Sequence, residues 1–167
     1  MLEIVIYIRE NGIEKLSSKI DNIVNRLWDK DTWYESDLKV LNTILFAFPM
    51  EYIHQITEKI LERLEVYKHY SPVFQLRMML LLNLSTLYLY NGDKLLCKQL
   101  CYTLLEEAKI SKQYDTLAFS YIRIGICTND AQLIQNGLSL AKLVEDEHLL
   151  TELEREVDIF VNKKASH

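Results

Sequence analysis

Gly12, Pro49, Pro72 and Gly92 punctuate a chain that holds only two further glycines and no further proline in 167 residues. Proline lacks a backbone donor and restricts the residue before it, while glycine takes the dihedrals that helix ends require. These positions therefore divide the sequence into segments, and each segment reads at helical period. The spacing of the stops, close to one pair of helices per roughly 40 residues, is that of stacked helical hairpins, which bind more often than they catalyse.

Ile13, Leu16, Ile20, Ile23, Val24 and Leu27 recur at three and four residues and predict a first helix over 13–27. Thr32 with Glu35 three residues later has the form of a capping box. It predicts a second helix with Leu38, Leu41, Leu45 and Phe48 inward, stopped by Pro49. A third, over 50–67, sets Ile53, Ile56, Ile60, Leu64 and Tyr67 against a wet face of Glu58, Lys59, Glu62 and Arg63. The fourth, over 72–90, is apolar almost all round and must be buried on several sides. Asn91, Gly92 and Asp93 form a turn and cap into a fifth helix over 93–110. A sixth over 113–127, a seventh over 131–144 capped by 128–130, and an eighth over 147–161 complete the chain. No segment reads as a strand.

The expected fold is all-α: a TPR-like right-handed solenoid of about eight antiparallel helices in stacked hairpins. It would form one domain over 1–167, with 1–12 as a lead-in and 162–167 as a disordered tail. Hairpin starts near Trp33, Phe74 and Asp115 are 41 residues apart at each step. The tetratricopeptide consensus is absent, so the likeness is one of architecture. Gly125 and Gly137 fall inside predicted helices, where close helix packing or a kink is expected rather than a boundary.

Nineteen basic residues against 24 acidic, with no basic cluster, argue against a phosphate-binding surface on this chain. Three cysteines, Cys97, Cys101 and Cys127, are an odd number without secretory context and point to reduced thiols in the cytoplasm. The apolar start carries Glu3 and Arg9 and lacks the form of a signal peptide. The richest apolar run, 78–82, is closed off by Arg77 and Asn83, so no membrane span is expected. His54, His69, His148 and His167 are isolated from one another. Cys97 and Cys101 share a helix face, reading either as paired thiolates or, preferably, as small apolar packing. No phosphate loop, nucleophile elbow or zinc helix is present, so neither an enzyme nor a cofactor is expected. An active site would have to gather distant residues such as His54 and Cys101.

Polar residues interrupt the apolar helices in a repeating register. Asn83 follows Asn42 by 41 residues and Arg123 follows Asn83 by 40, with Arg77 one turn and a half before Asn83. Together with Phe119, Leu80 and Leu84 they suit a peptide groove, in which amides pair with a bound backbone and arginine clamps a carboxylate. The alternative is that each polar group is paired inside the fold, Arg77 with a carboxylate of a neighbouring helix. Leu149, Leu150, Leu153, Val157 and Phe160 make an apolar face on the last helix, with no following hairpin to cover it, and so a candidate dimer surface.

Trp33, Tyr34 and Glu35, followed by Leu38, Asn42 and Phe46, then Arg77 and Asn83 in a leucine-rich helix, then 121–125, form a pattern over 13–160. It resembles the C-terminal regulatory domain of the Rgg/GadR/MutR transcriptional regulators, which respond to peptides. The resemblance implies a homodimeric helical-repeat domain that binds a short hydrophobic signalling peptide on its concave side, with Arg77, Asn83 and Arg123 in the groove. It further implies contact with DNA only through a helix-turn-helix domain, which this chain lacks, so the chain is expected to be an excised effector domain or a truncated relative. Peptide binding would then shift the dimer between arrangements. A TPR-like scaffold that binds a partner protein without any small signal is the competing expectation.

Overall fold

The computed structural model describes residues 25–26, 29–30, 32–65 and 71–162. Among them every regular element is helical. Helix α1 (Glu35–Ile44) runs into a 3-10 turn (Leu45–Ala47), followed by α2 (Met50–Glu65), α3 (Ser71–Tyr90) and α4 (Lys94–Ser111). Then come α5 (Tyr114–Thr128), α6 (Ala131–Leu143) and α7 (Glu147–Val157), the last ending in a turn of π-helix (Asp158–Asn162). The predicted first helix and lead-in lie outside the described residues, apart from helical Asn25 and Arg26, as does the tail beyond 162. The chain divides into two compact units, Met1–Leu80 and Leu81–His167, the division falling inside α3.

In the first unit the start of α1 corrects the expected capping register. Asp37, not Glu35, returns to the cap: its carboxylate accepts from the Tyr34 N–H at 2.9 Å and from Lys30 Nζ at 2.6 Å. The shift follows from burial. Trp33 is only 2% exposed and Leu38 is fully buried, occupying the positions of a hydrophobic staple on either side of Tyr34. With Trp33 inward, the chain enters the helix at Tyr34, whose backbone is extended. Glu35 instead pairs with Lys39 one turn on. At the other end Phe48 is extended, at ψ 139°, as the following proline demands. Helix α2 buries Ile53, Ile56, Thr57, Ile60 and Leu64, four residues of the predicted stripe with one threonine added; the fifth, Tyr67, lies outside the described residues. That threonine hydroxyl donates back to the Ile53 carbonyl at 2.6 Å.

Helix α3 is apolar around its circumference, as the sequence predicts. Val73–Tyr90 is long and apolar enough to cross a membrane by length and composition alone, a test that core helices also pass, and half of it is buried inside the protein.

The second unit is built from two- and three-residue turns. Asp93, Asp130 and Asp146 cap α4, α6 and α7, each accepting from backbone N–H groups of the following turn at 2.9–3.1 Å. Each of these three turns, and the one between α4 and α5, carries a left-handed residue, of which only Gly92 (φ 84°) is glycine; the others are Lys112, Asn129 and Glu145. Helix α5 packs against α4, α6 and α7. Its seam with α6 is reciprocal. A Cβ on Gly125 would lie 2.7 Å from Ile134 Cγ1 and 2.8 Å from the Asp130 carbonyl. One on Gly137 would lie 2.5 Å from Ile122 Cγ1 and 2.8 Å from the Ala118 carbonyl. Each helix thus presents an isoleucine to the other's glycine, so the expectation of close packing holds and both glycines are required for it.

Two outcomes are expected. Gly137→Ala lowers the unfolding free energy in urea by about 1–3 kcal/mol through overpacking against backbone, although alanine favours helix. At Asp37, burial pushes the carboxyl up, but Lys30, the Tyr34 N–H and Arg26 outweigh it and hold the group below the usual range. A depressed folded pKa means that its stabilisation is present above the ordinary value of about 3.9 and is lost as pH falls through the lower folded value. Asp37→Ala should therefore destabilise by about 1–2 kcal/mol at pH 7, and by progressively less below pH 4.

Candidate functional site: a buried arginine and the cavity beside it

Arg123 sits in the middle of α5, 3% exposed, where an unpaired charge would be prohibitive. Three helices satisfy it. From α7, Glu156 accepts Nε at 2.8 Å on Oε1 and Nη2 at 2.9 Å on Oε2, a bidentate pair in which the carboxylate is itself buried. From α3, Ser85 Oγ and the Leu82 carbonyl accept Nη1 at 2.6 and 3.0 Å. Ser85 also donates to the same carbonyl at 2.7 Å, closing a small network. One turn back on α5, the Phe119 ring lies under the guanidinium, 5.0 Å from its carbon to the ring centroid. Burial alone would push the guanidinium down, but Glu156 more than compensates and holds it charged.

Beside this pair opens a cavity of about 290 Å³ lined by Tyr90, Phe119, Arg123, Glu152, Arg155 and Glu156. Tyr90 stands edge-on to Phe160, 4.9 Å between ring centroids. Burial and the Glu156 charge push its phenol up against the pull of Arg123 and Arg155, so it stays a neutral donor. Glu152 and Arg155 are exposed and bring both signs of charge to the cavity. The walls thus offer aromatic surface, one phenol and ionic groups. Such a set can bind; it contains no nucleophile paired with a base.

The expected peptide residues divide. Phe119 and Arg123 line the cavity, but Arg123 clamps the protein's own Glu156. Leu80 and Leu84 are fully buried core residues of α3 and present no surface to a ligand. Asn83 is half-buried on α3 and Asn42 half-buried on α1. Arg77 is buried in the first unit. Its Nε donates to the Leu64 carbonyl at 3.2 Å and its Nη2 lies 3.8 Å from Glu65, so it serves the open end of α2, as the internal-pairing alternative expects.

The expectation of an uncovered terminal face does not describe Leu149 and Leu153, which are interior. Helix α7 folds back on α5 and α6 and uses its apolar stripe there, leaving Leu150, Val157 and Phe160 half-buried. Cys97 and Cys101 are buried, as the packing reading expects. Among the described residues no group of three His, Cys, Asp or Glu side chains could hold a metal ion.

Sequence reasoning missed Glu156, Ser85, Tyr90, Glu152 and Arg155. Glu156 follows Leu149 and Leu153 at intervals of seven and three residues, on the buried stripe itself, and that misplaced acid was a readable signal. No protein-family model matches the chain, and no curated protein or solved structure matches it either.

Removing one partner leaves the other charge buried. Glu156→Ala and Arg123→Ala should each cost about 3–5 kcal/mol in urea denaturation. The double variant Arg123→Met with Glu156→Leu should recover most of that loss.

Proposed function

We propose that the chain is a ligand-sensing module of a transcriptional regulator, and that the cavity beside Arg123 receives a side chain or terminus of a short hydrophobic peptide. The single observation that carries this reading is the cavity itself: about 290 Å³, walled by Phe119 and Tyr90 with Arg155 among its lining residues. That volume lies at the lower edge of small-molecule sites, roughly 300–1,000 Å³, and suits one or two residues rather than a whole peptide. Arg123, neutralised by Glu156, serves as a rigid floor, and Arg155 is the cation available for a peptide carboxylate. The resemblance to Rgg/GadR/MutR effector domains supports the same ligand class. We further propose that the hairpins stack in the right-handed, TPR-like manner, supported by the short capped turns of the second unit and the packing of α5 on α4 and α6.

A partner-binding scaffold without a small signal is favoured by a different observation. Leu95, Tyr102 and Ile110 recur seven and eight residues apart along α4 and are 61%, 49% and 84% exposed.

Calorimetric titration with a panel of short hydrophobic peptides separates the two. On the sensor reading at least one peptide binds; Arg155→Ala weakens it about tenfold with the melting temperature little changed, and Phe119→Ala weakens it about tenfold while also lowering the melting temperature, since its ring packs on the Arg123 guanidinium. Absence of binding across the panel, or affinities indifferent to both substitutions, would reject the cavity as the site.

A further inference from the structure

The three cysteines that the sequence scatters over two helices meet in the second unit. Cys97 and Cys101 stand one turn apart on α4, and Cys127 lies in the last turn of α5, which packs against α4. The register between these helices is marked independently by Lys94, one turn before Cys97, whose Nζ donates to the Ile126 carbonyl at 3.3 Å. The Cys97 thiol lies close enough to Cys101 and Cys127 for each of them to alter its ionisation. All three are free thiols. Cys97 and Cys101 are buried, while Cys127 is half-exposed.

We propose that Cys127 and Cys97 form a peroxide-reactive dithiol, with Cys127 as the attacking sulfur and Cys97 as the resolving one. The two thiols are electrostatically unlike. At Cys127 the Cys97 hydrogen bond favours the thiolate; burial opposes this, and Lys94, Lys98 and Arg123 add to it, so its pKa falls. The carbonyl end of α5 works against a thiolate there and is outweighed by these cations. At Cys97 the hydrogen bonds to Cys101 and Cys127, together with burial, push the pKa far up, so this thiol keeps its proton and donates it.

In the first step the Cys127 thiolate attacks one oxygen of hydrogen peroxide. An S–O bond forms, the O–O bond breaks, and the departing hydroxide recovers from solvent the proton that Cys127 released, leaving as water. In the second, Cys97 sulfur attacks the sulfenic sulfur, and the sulfenic hydroxyl leaves with the Cys97 proton as a second water. Two thiols lose two electrons in total, and one peroxide is reduced to two waters. Geometry selects the pair. Residues i and i+4 of a helix hold their Cβ atoms about 5–6 Å apart, whereas a disulfide needs about 3.5–4.5 Å, so closure between Cys97 and Cys101 would require α4 to unwind. Cys101 is left as packing beneath the pair.

Trypsin cuts after Lys94, Lys98, Lys109, Arg123 and Lys142, which puts the three cysteines on separate peptides, 95–98, 99–109 and 124–142. The reduced, full chain is treated with graded hydrogen peroxide, alkylated after unfolding, digested and mapped by mass spectrometry. Peptides 95–98 and 124–142 should appear joined, with Cys101 alkylated. Cys127→Ser should slow peroxide-dependent thiol loss at least about tenfold, and Cys97→Ser should leave a sulfenic acid on Cys127 that dimedone traps. The preference should vanish when the same treatment is given in urea. A Cys97–Cys101 bridge, bridges only between chains, or thiol loss indifferent to Cys127→Ser would overturn the proposal. Far-UV circular dichroism checks that each variant is helical; should Cys97→Ser unfold, the peptide map of the unsubstituted chain decides the pairing by itself.

Discussion

A buried guanidinium has to be answered on every side, and in the second unit that requirement ties three helices together. Arg123 draws a carboxylate from α7 and a hydroxyl and carbonyl from α3. Desolvating two charges is expensive, and their attraction repays it only with good geometry and with the remaining donors occupied. Both conditions are met by the bidentate pair and the Ser85–Leu82 network. The last helix is therefore not an appendage. Glu156 locks it to the centre, while Leu149 and Leu153 bury the stripe beside that lock.

Helix α5 carries the rest of the unit on its other faces. Toward α6 its surface is cut down to Gly125 and Ala118, so the backbones approach until isoleucine meets glycine from both directions. Toward α4 it brings Cys127 against Cys97. The candidate binding cavity opens where α5 and α7 meet and is lined by the same charges that hold them. The pair that fixes the fold thus also forms part of the cavity wall: Arg123 and Glu156 are committed to each other, with Phe119 packed against the guanidinium, while Glu152 and Arg155 stand exposed at its edge. The thiol cluster feels the same guanidinium, since Arg123 contributes to the lowered Cys127 pKa.

Much of the local structure was legible because it depends on short-range chemistry. Pro49 set the extended Phe48, Asn91, Gly92 and Asp93 set the turn into α4, and apolar spacing gave the buried stripe of α2. The capping box failed by two residues because Trp33 had to be inside, and burial outranks a polar pattern that two neighbouring registers can both satisfy. Asn129 lies in the turn over 128–130 that the sequence marks and is a residue that tolerates the left-handed dihedral, whereas at Lys112 and Glu145 turn closure imposes that dihedral on residues that do not favour it. The repeated polar residues stand out in the sequence for a property the structure honours, since a polar group in an apolar helix needs a partner. The identity of that partner was out of reach, because Ser85 and Glu156 lie 38 and 33 residues from Arg123.

The sequence by itself determined the helical character of the described residues, most of their helix ends, the placing of Gly125 and Gly137 inside helices rather than at boundaries, and the residues whose charge or polarity would have to be answered. The tertiary structure alone decided what answers them: Glu156 for Arg123, the end of α2 for Arg77, and Cys127 for Cys97. The reason is physical. Helix formation and capping are settled within a few residues of the chain, whereas desolvation is settled by whatever the fold brings alongside, and no spacing within one helix records which neighbour that will be.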